Sequence, residues 1–320
     1  VSATGGKKAI IAALLANLGI ALTKFIAWAV SGASSLLAEG VHSLADSGNQ
    51  LLLLFGGRQA KRRADSDHPF GYGRERFVYA FLVSIILFSV GGMFSIYEGI
   101  HKLQHPEPLE AWWLPLVVLL IAMVLESYSL RTAIRESNPH RGDATWFQFI
   151  RHAKAPELPV VLLEDSAALV GLILAFFGVG LTALTGNSLF DALGTIGIGI
   201  LLILVAVLLG IETKGLLIGE GASTADVQAI EKAIISGGET SGIIHMKTLY
   251  LGPDEFMVGA KLAFPPEMRF SDVAKAIDAI EQRVRESVDA AKVIYIEPDV
   301  HRVDRTEAVA TDAIVVKGVD

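Results

Sequence analysis

Val41-His42-Ser43-Leu44-Ala45-Asp46 lies at the middle of an apolar run, residues 35–56, and Leu163-Glu164-Asp165-Ser166 holds the same place in another, residues 158–181. Each run has the length, about 20 residues, of a helix that crosses a bilayer. An ionised side chain at that depth costs about 2.5–3.5 kcal/mol on insertion scales, so it faces a partner, a bound ion or a wet cavity. His42, Asp46, Glu164 and Asp165 are therefore candidate ligands of one intramembrane metal site.

The rest of the chain supports a membrane setting. Its mean hydropathy is +0.50 and 52% of its residues are hydrophobic, concentrated in long runs, a composition of polytopic membrane proteins. Apolar windows fall at residues 9–30, 35–56, 77–100, 112–130, 158–181 and 189–211, which predicts six transmembrane helices. Basic residues near span ends favour the cytoplasmic side. Lys7 and Lys8 precede the first span; Arg58, Lys61, Arg62, Arg63, Arg74 and Arg76 crowd the second connection; Arg131, Arg135, Arg141, Arg151 and Lys154 populate the fourth. The first and fifth connections, Ser31-Gly32-Ala33-Ser34 and Thr185-Gly186-Asn187-Ser188, lack Lys and Arg, and the third has only Lys102. Both termini are thus expected in the cytoplasm. The first run is too long for a signal-peptide core and no small-residue cleavage site follows it, so it reads as a true span. With no cleavable targeting segment seen, the bacterial cytoplasmic membrane is the expected location.

The expected organisation is a transmembrane domain over residues 1–213, a cytoplasmic α/β domain over 214–298 and a tail over 299–320. After Lys214 the apolar runs shorten. Ser223 and Thr224 offer N-caps to a helix over 226–235. Residues 243–251 and 256–264 read as strands about the turn Gly252-Pro253-Asp254. Residues 272–288 carry Val273, Ile277, Ile280 and Val284 at helical spacing, and 293–296 supply a third strand. An α-β-β-α-β order gives one sheet with two helices for one face, leaving the other face for a partner; a homodimer is the expectation. After Pro298 no periodic pattern is long enough to assign. In the fourth connection Trp146, Phe147, Phe149 and Ile150 beside Arg141, Arg151, His152 and Lys154 suggest an interfacial helix, the alternative being a loop packed on the domain below.

Chemistry narrows next. The chain has no cysteine, so disulfides, thiolate metal sites and cysteine nucleophiles are excluded and any metal must use N and O ligands. His42 and Asp46 stand at i and i+4 and share a helix face; imidazole plus carboxylate suits zinc or another late first-row divalent ion. Glu164 and Asp165 are neighbours about 100° apart on a helix, so they cannot point along one line. Two carboxylates side by side in a low dielectric call for a cation, a shared proton, or the buried Lys24 as partner. Imidazole must lose its proton to bind metal, so metal and protons compete at His42. Glu126 and Asp191 are further candidates for a polar pathway, with helix-packing hydrogen bonds as the alternative. Asp65-Ser66-Asp67-His68-Pro69-Phe70-Gly71-Tyr72-Gly73-Arg74 mixes ligand types with turn residues: Asp65 and His68 are candidates for a weak cytosolic-side site, against a solvated turn. Its glycines make no phosphate loop, since no strand precedes them and no Lys-Ser/Thr follows.

Ala38-Glu39-Gly40-Val41-His42-Ser43-Leu44-Ala45-Asp46, His68-Pro69-Phe70-Gly71-Tyr72-Gly73-Arg74 and Ile294-Tyr295-Ile296-Glu297-Pro298 resemble segments of the cation diffusion facilitators, and the resemblance covers about residues 8–298. It implies six spans, a cytoplasmic metallochaperone-like domain, a homodimer and exchange of divalent metal for protons at a site joining the second and fifth spans, here His42, Asp46 and Asp165. Zinc-selective members generally carry HxxxD in the fifth span also; here Val161 stands four residues before Asp165, and Glu164 is the available substitute. The run Val161-Leu162-Leu163-Glu164-Asp165 is similar to that of the subgroup containing the mitochondrial zinc exporter. An oxygen-richer site brings manganese, iron or cobalt into consideration beside Zn2+. Tyr72 occupies a position where the family's cytosolic-side site often has histidine. His245 resembles a family ligand of the soluble domain, yet Lys261 and Tyr295 occupy positions of other ligands, so a binuclear site there is not expected.

The leading expectation is a divalent metal cation/proton antiporter that exports metal, zinc foremost, from the cytoplasm by alternating access. Its partners are the metal ion, protons, the lipid bilayer and a second copy of the chain; no nucleic acid is expected. An intramembrane metallohydrolase is disfavoured, because no HExxH and no third histidine accompany the site. A non-transporting scaffold of the same architecture is the other alternative.

Overall fold

A computed structural model describes residues 3–106, 109 and 111–300. Residues 301–320, most of the expected tail, lie outside the described residues, as do the side chains of Lys7, Lys8 and His152. Two compact units form. One takes the chain up to Arg58 together with Arg76–Lys214, the other Gln59–Glu75 together with the chain from Gly215 onward.

The first unit is a helical bundle. Its elements are α1 (Ala3–Ser31), α2 (Ser34–Gln59), α3 (Glu75–Ile86), a π-helical segment (Leu87–Met93), α4 (Phe94–Gln104), α5 (Trp113–Arg141), α6 (Trp146–His152), α7 (Glu157–Thr185) and α8 (Leu189–Ile218). Among the described residues four helices are long and apolar enough to cross a membrane: Glu75–Gln104 counted through the π segment, α5, α7 and α8. Asn17–Ser31 of α1 is a shorter apolar stretch. α2 has 26 residues, and Glu39, His42, Asp46 and Asn49 interrupt its apolar run. Winding outlasts composition in two places. α5 continues from the 112–130 run to Arg141, and α8 passes Lys214 to reach Ile218.

Side chains sort as a lipid solvent demands. Leu36, Val83, Leu87, Leu119, Leu172, Ile198 and Leu202 are buried together, while Leu22, Ile121, Val124, Phe177 and Leu204 point outward and are exposed. Apolar groups on both sides are natural where the surroundings are hydrocarbon. Close helix approach then needs small residues. At Gly199 of α8 an added Cβ would stand 2.6 Å from Ile96 Cγ1 and 2.8 Å from the Ile96 backbone nitrogen, so only hydrogen fits there.

The short helix α6 forms where an irregular loop was the alternative. Thr145 caps it: its hydroxyl accepts from the Gln148 backbone N–H at 3.2 Å, and the Gln148 side chain accepts from the Thr145 N–H at 2.9 Å. Such a reciprocal pair satisfies two orphan donors at a helix start. Arg141 lies 4.7 Å over the Trp146 ring, and Phe147 is exposed.

The second unit contains α9 (Thr224–Ile235), β1 (Gly242–Gly252), β2 (Glu255–Ala263), α10 (Phe270–Ser287) and β3 (Ala291–Asp299), the α-β-β-α-β order expected. β1 pairs antiparallel with β2, and β2 pairs parallel with β3, leaving β2 central. β3 is longer than the 293–296 expected and takes in Asp299. Ser223 caps α9, its hydroxyl accepting from Asp226 N–H at 3.1 Å. Val273, Ala276, Ile280 and Val284 of α10 are buried, with Ile277 only partly so. They face a core with Ile230, Ile234, Phe256, Val258 and Leu262.

Arg283 joins α10 to the segment after α9. It donates to both Glu239 carboxylate oxygens at 2.7 Å and to the Ala233 carbonyl at 3.1 Å. Those bonds hold the Glu239 carboxyl below its ordinary value of 4.5. A lowered folded pKa means that this stabilisation is complete above the unfolded value and is lost as pH falls through the folded one. Glu239→Gln should therefore weaken amide protection in β2 and α10 of the whole protein at neutral pH, and the gap to wild type should close on acidification below about pH 4.

Candidate metal centre

The residues that carry the chemistry sit on α2, α5 and α7, with α1 alongside. On α2 the run Glu39, His42, Ser43, Asp46, Asn49 recurs at helical spacing and makes one polar face. His42 is 1% exposed and Asp46 14%, with His42 Nδ1 3.5 Å from Asp46 Oδ1. Both ring nitrogens of His42 and Asp46 Oδ1 are buried without a hydrogen-bond partner. Each such atom costs about 1–3 kcal/mol unless something polar meets it, so the pair is a donor set awaiting an ion or water.

Glu164 and Asp165 diverge as their spacing requires. Glu164 Oε1 accepts from Asn49 Nδ2 at 2.7 Å, lacing α7 to α2 one turn beyond Asp46. Asp165 Oδ2 accepts from the Ser129 hydroxyl at 2.8 Å, lacing α7 to α5. Asn49, which holds Glu164, lies on α2 one turn beyond Asp46, so α2 and α7 meet near the His42–Asp46 pair. The four candidate ligands do not close on a common point. Among the described residues no three His, Asp or Glu side chains are grouped to hold one ion. Val161 sits on α7 one turn before Asp165 and is partly buried.

Lys24 does not serve the α7 acids. It is fully buried and donates to Glu39 Oε2 at 3.0 Å and to the Ser43 hydroxyl at 2.7 Å. Glu126 lines a cavity of about 760 Å3 with Asn17, Thr23 and Ser129, and Ser129 is the residue that holds Asp165. Asp191 follows the helix-packing alternative. Its carboxylate accepts from the backbone N–H groups of Ser34 and Ser35 at 2.8 and 3.3 Å and from their hydroxyls at 2.9 and 2.5 Å.

The second connection belongs to the other unit. Asp65 Oδ1 accepts from the backbone N–H of Asp67 and His68 at 3.1 and 2.8 Å, and Oδ2 from the Tyr72 hydroxyl at 2.7 Å. The Tyr72 hydrogen bond holds the Asp65 carboxyl below its usual range, and the same bond raises the Tyr72 phenol. His68 stacks on Tyr72 with ring centroids 4.3 Å apart. Asp65 is thus engaged in organising a turn. His245 pairs across β1–β2 with Lys261, which binds Glu297 at 2.8 Å and Asp299 at 3.2 Å. Those bonds, Glu297 first, raise the Lys261 pKa and keep an ammonium beside the imidazole, an unfavourable setting for a metal cation.

Sequence reasoning missed Asn49, Ser129 and the Lys24–Glu39–Ser43 group. The signal for Asn49 was present: it continues the polar face of α2 three residues after Asp46.

A bundle of long apolar helices that buries imidazole, carboxylate and ammonium groups is that of an integral membrane protein. The cation efflux transmembrane domain model matches residues 10–218, and the chain belongs to the cation efflux family, whose members are transporters and not enzymes. It is 34% identical over 262 residues to the mitochondrial proton-coupled zinc antiporter of Xenopus laevis, covering 81% of this chain and 46% of that protein. It is 30% identical over 264 residues to Metal tolerance protein C4 of Arabidopsis thaliana, covering 82% of this chain and 58% of that one. The cation-efflux pump FieF of Pectobacterium atrosepticum is 25% identical over 305 residues, 93% of this chain and 94% of the pump. The chain therefore spans about half the length of the first of these relatives.

Proposed function

We propose that the chain is a divalent metal cation/proton antiporter that exports metal, zinc foremost, from the cytoplasm through His42, Asp46, Glu164 and Asp165. The observation that carries this reading is the set of unpartnered buried atoms on His42 and Asp46 beside the α7 carboxylates, inside a bundle of the cation efflux family. In this reading six spans, including α1 and α2, cross the membrane with both termini in the cytoplasm. The domains run over 1–213 and 214–298, and two copies associate through the sheet face that α9 and α10 leave open.

An arriving ion binds His42 Nδ1 or Nε2 and Asp46, and draws Asp165 from Ser129 or Glu164 from Asn49 to complete its shell. Exchanging one neutral hydrogen bond for a charge-assisted contact favours the ion. Binding requires a neutral imidazole, so protons arriving from the acidic side displace the metal. Alternating exposure of one site to the two sides then couples the two flows. Because three of the four ligands are carboxylates, manganese, iron and cobalt are the competing substrates of the same mechanism.

Proteoliposomes with an acidic lumen should accumulate zinc while the lumen alkalinises, and a protonophore should stop both. Zinc accumulation that ignores the gradient overturns the antiport reading. A protein that neither binds nor moves zinc, manganese, iron or cobalt would instead be a scaffold.

A further inference from the structure

Lys24 is the feature of the bundle that the transport reading leaves unused. A fully buried lysine in a spanning helix is rare and demands a partner. Glu39 provides it, one oxygen accepting from the ammonium at 3.0 Å, while the Ser43 hydroxyl accepts at 2.7 Å and the Glu39 carbonyl lies at 3.5 Å. The pair is lopsided. The second Glu39 oxygen, Oε1, is buried without a hydrogen-bond partner and presses on Gly171 of α7, where an added Cβ would stand 2.6 Å from it.

Position makes this pair more than a packing device. Ser43 follows His42 in sequence, and Glu39 stands one turn before it on the same face of α2. The Lys24 ammonium, 2.7 Å from the Ser43 hydroxyl, is thereby fixed to the residue next to His42. A divalent ion bound at His42 would share a low-dielectric neighbourhood with the ion-paired Lys24 side chain, and charges in such surroundings act strongly on one another. Lysine carries that charge on a flexible four-carbon stem with three donors, so it can lean toward Glu39 or toward the site.

We propose that Lys24 is a tethered counter-cation that weakens the hold of the His42 and Asp46 site on its divalent ion, and that Glu39 restrains it. The proposal rests on the transport reading and deepens it: Lys24 is a positioning residue that sets affinity and release without touching the ion. With the ion present, Glu39 and Ser43 hold the ammonium back. Once the ion leaves, the ammonium compensates the carboxylates left behind, and the site avoids standing empty with uncompensated charge.

A structural pair and a regulating pair differ in sign. If the pair only stabilises the fold, Lys24→Gln and Glu39→Gln act alike. If Lys24 opposes the ion and Glu39 restrains it, the two act oppositely. Zinc titration of the purified full chain in detergent should give a Kd about tenfold lower for Lys24→Gln and about tenfold higher for Glu39→Gln, each a change of ~1.4 kcal/mol. In proteoliposomes Lys24→Gln should lower KM and maximal rate together, because release slows, while Lys24→Arg should stay close to wild type. The double variant Lys24→Gln/Glu39→Gln replaces a buried ion pair by neutral isosteres, a change that folds tolerate, and should bind like Lys24→Gln. Equal-signed shifts in the single variants, or a double variant with wild-type affinity, overturn the proposal. Wild-type protein that binds zinc in those same titrations keeps the transport reading intact whichever way the variants fall; wild type that binds no divalent ion overturns both.

Discussion

Asp46→Ala and Asp165→Ala should each lower proton-driven zinc uptake about a hundredfold, equivalent to ~2.7 kcal/mol of lost ion binding. Asp46 supplies the carboxylate that shares a helix face with His42, and its Oδ1 has no protein partner to lose. Among the described residues Asp165 accepts from the Ser129 hydroxyl at 2.8 Å, a neutral contact that a divalent ion readily outcompetes. Isotopic zinc flux in proteoliposomes measures both variants. Glu126→Gln is the internal comparison, because Glu126 lies at the cavity rather than on the face of His42, and its loss should be several-fold smaller. Fold integrity is not at stake for Asp46→Ala: Asp46 Oδ1 is buried without a hydrogen-bond partner, so removing it lifts a desolvation cost, and thermal unfolding without metal should match or exceed wild type. Uptake by Asp46→Ala within threefold of wild type would reject His42 and Asp46 as the core of the site.

Asp191→Ala should have the largest effect on stability. Asp191 is fully buried and accepts four hydrogen bonds from Ser34 and Ser35 at the start of α2. Two donors are backbone N–H groups of the first helical turn, which have no partner inside the helix and carry its positive end. Removal strands them with two hydroxyls in the same buried place. Breaking such a network costs about 3–5 kcal/mol. Asp191→Ala should therefore unfold well below wild type in detergent and be recovered in lower yield. Asp191→Asn retains a carbonyl acceptor and the volume, and should lose about half as much. A wild-type melting curve for Asp191→Ala would show that the α2 terminus is satisfied elsewhere.

What was legible in the sequence was local. The i, i+4 relation of His42 and Asp46 follows from helical winding alone, and on α2 His42 is buried and Asp46 partly buried. The α-β-β-α-β order came from apolar periodicity and the Gly252-Pro253-Asp254 turn, and β1 and β2 flank that turn. The 100° divergence of Glu164 and Asp165 was legible too. Their partners were not, because the rotation of α7 relative to α2 and α5 depends on how side chains interlock across the bundle, and no local rule fixes that phase. For the same reason Lys24 was weighed as partner to the α7 acids, while across the α1–α2 contact it meets Glu39 and Ser43. The reach of α5 to Arg141 was hidden because its last turns are polar, with Pro139 inside the helix. Contacts distant in sequence were equally silent. Gly73 approaches Leu251 and Gly252 so closely that an added Cβ would stand 2.6 Å from the Leu251 carbonyl oxygen, tying the second connection to the end of β1.

The π-helical segment Leu87–Met93 carries two adjacent glycines that both meet α8: a Cβ added at Gly91 would stand 3.2 Å from Leu202 and 3.9 Å from His42 Nδ1, and one at Gly92 would stand 2.5 Å from Ile203 and 3.3 Å from the Gly199 carbonyl oxygen. Wider winding of this kind stores one residue more than an α-helix of equal rise requires. The surplus lies in a segment whose Gly91 comes near Leu202 first and the His42 ring next. Moving that coil defect by a single turn would turn the intervening residues about the span axis and exchange what lies against His42, with neither end of the span displaced. The helix Glu75–Gln104 thus keeps its slack near the His42 ring.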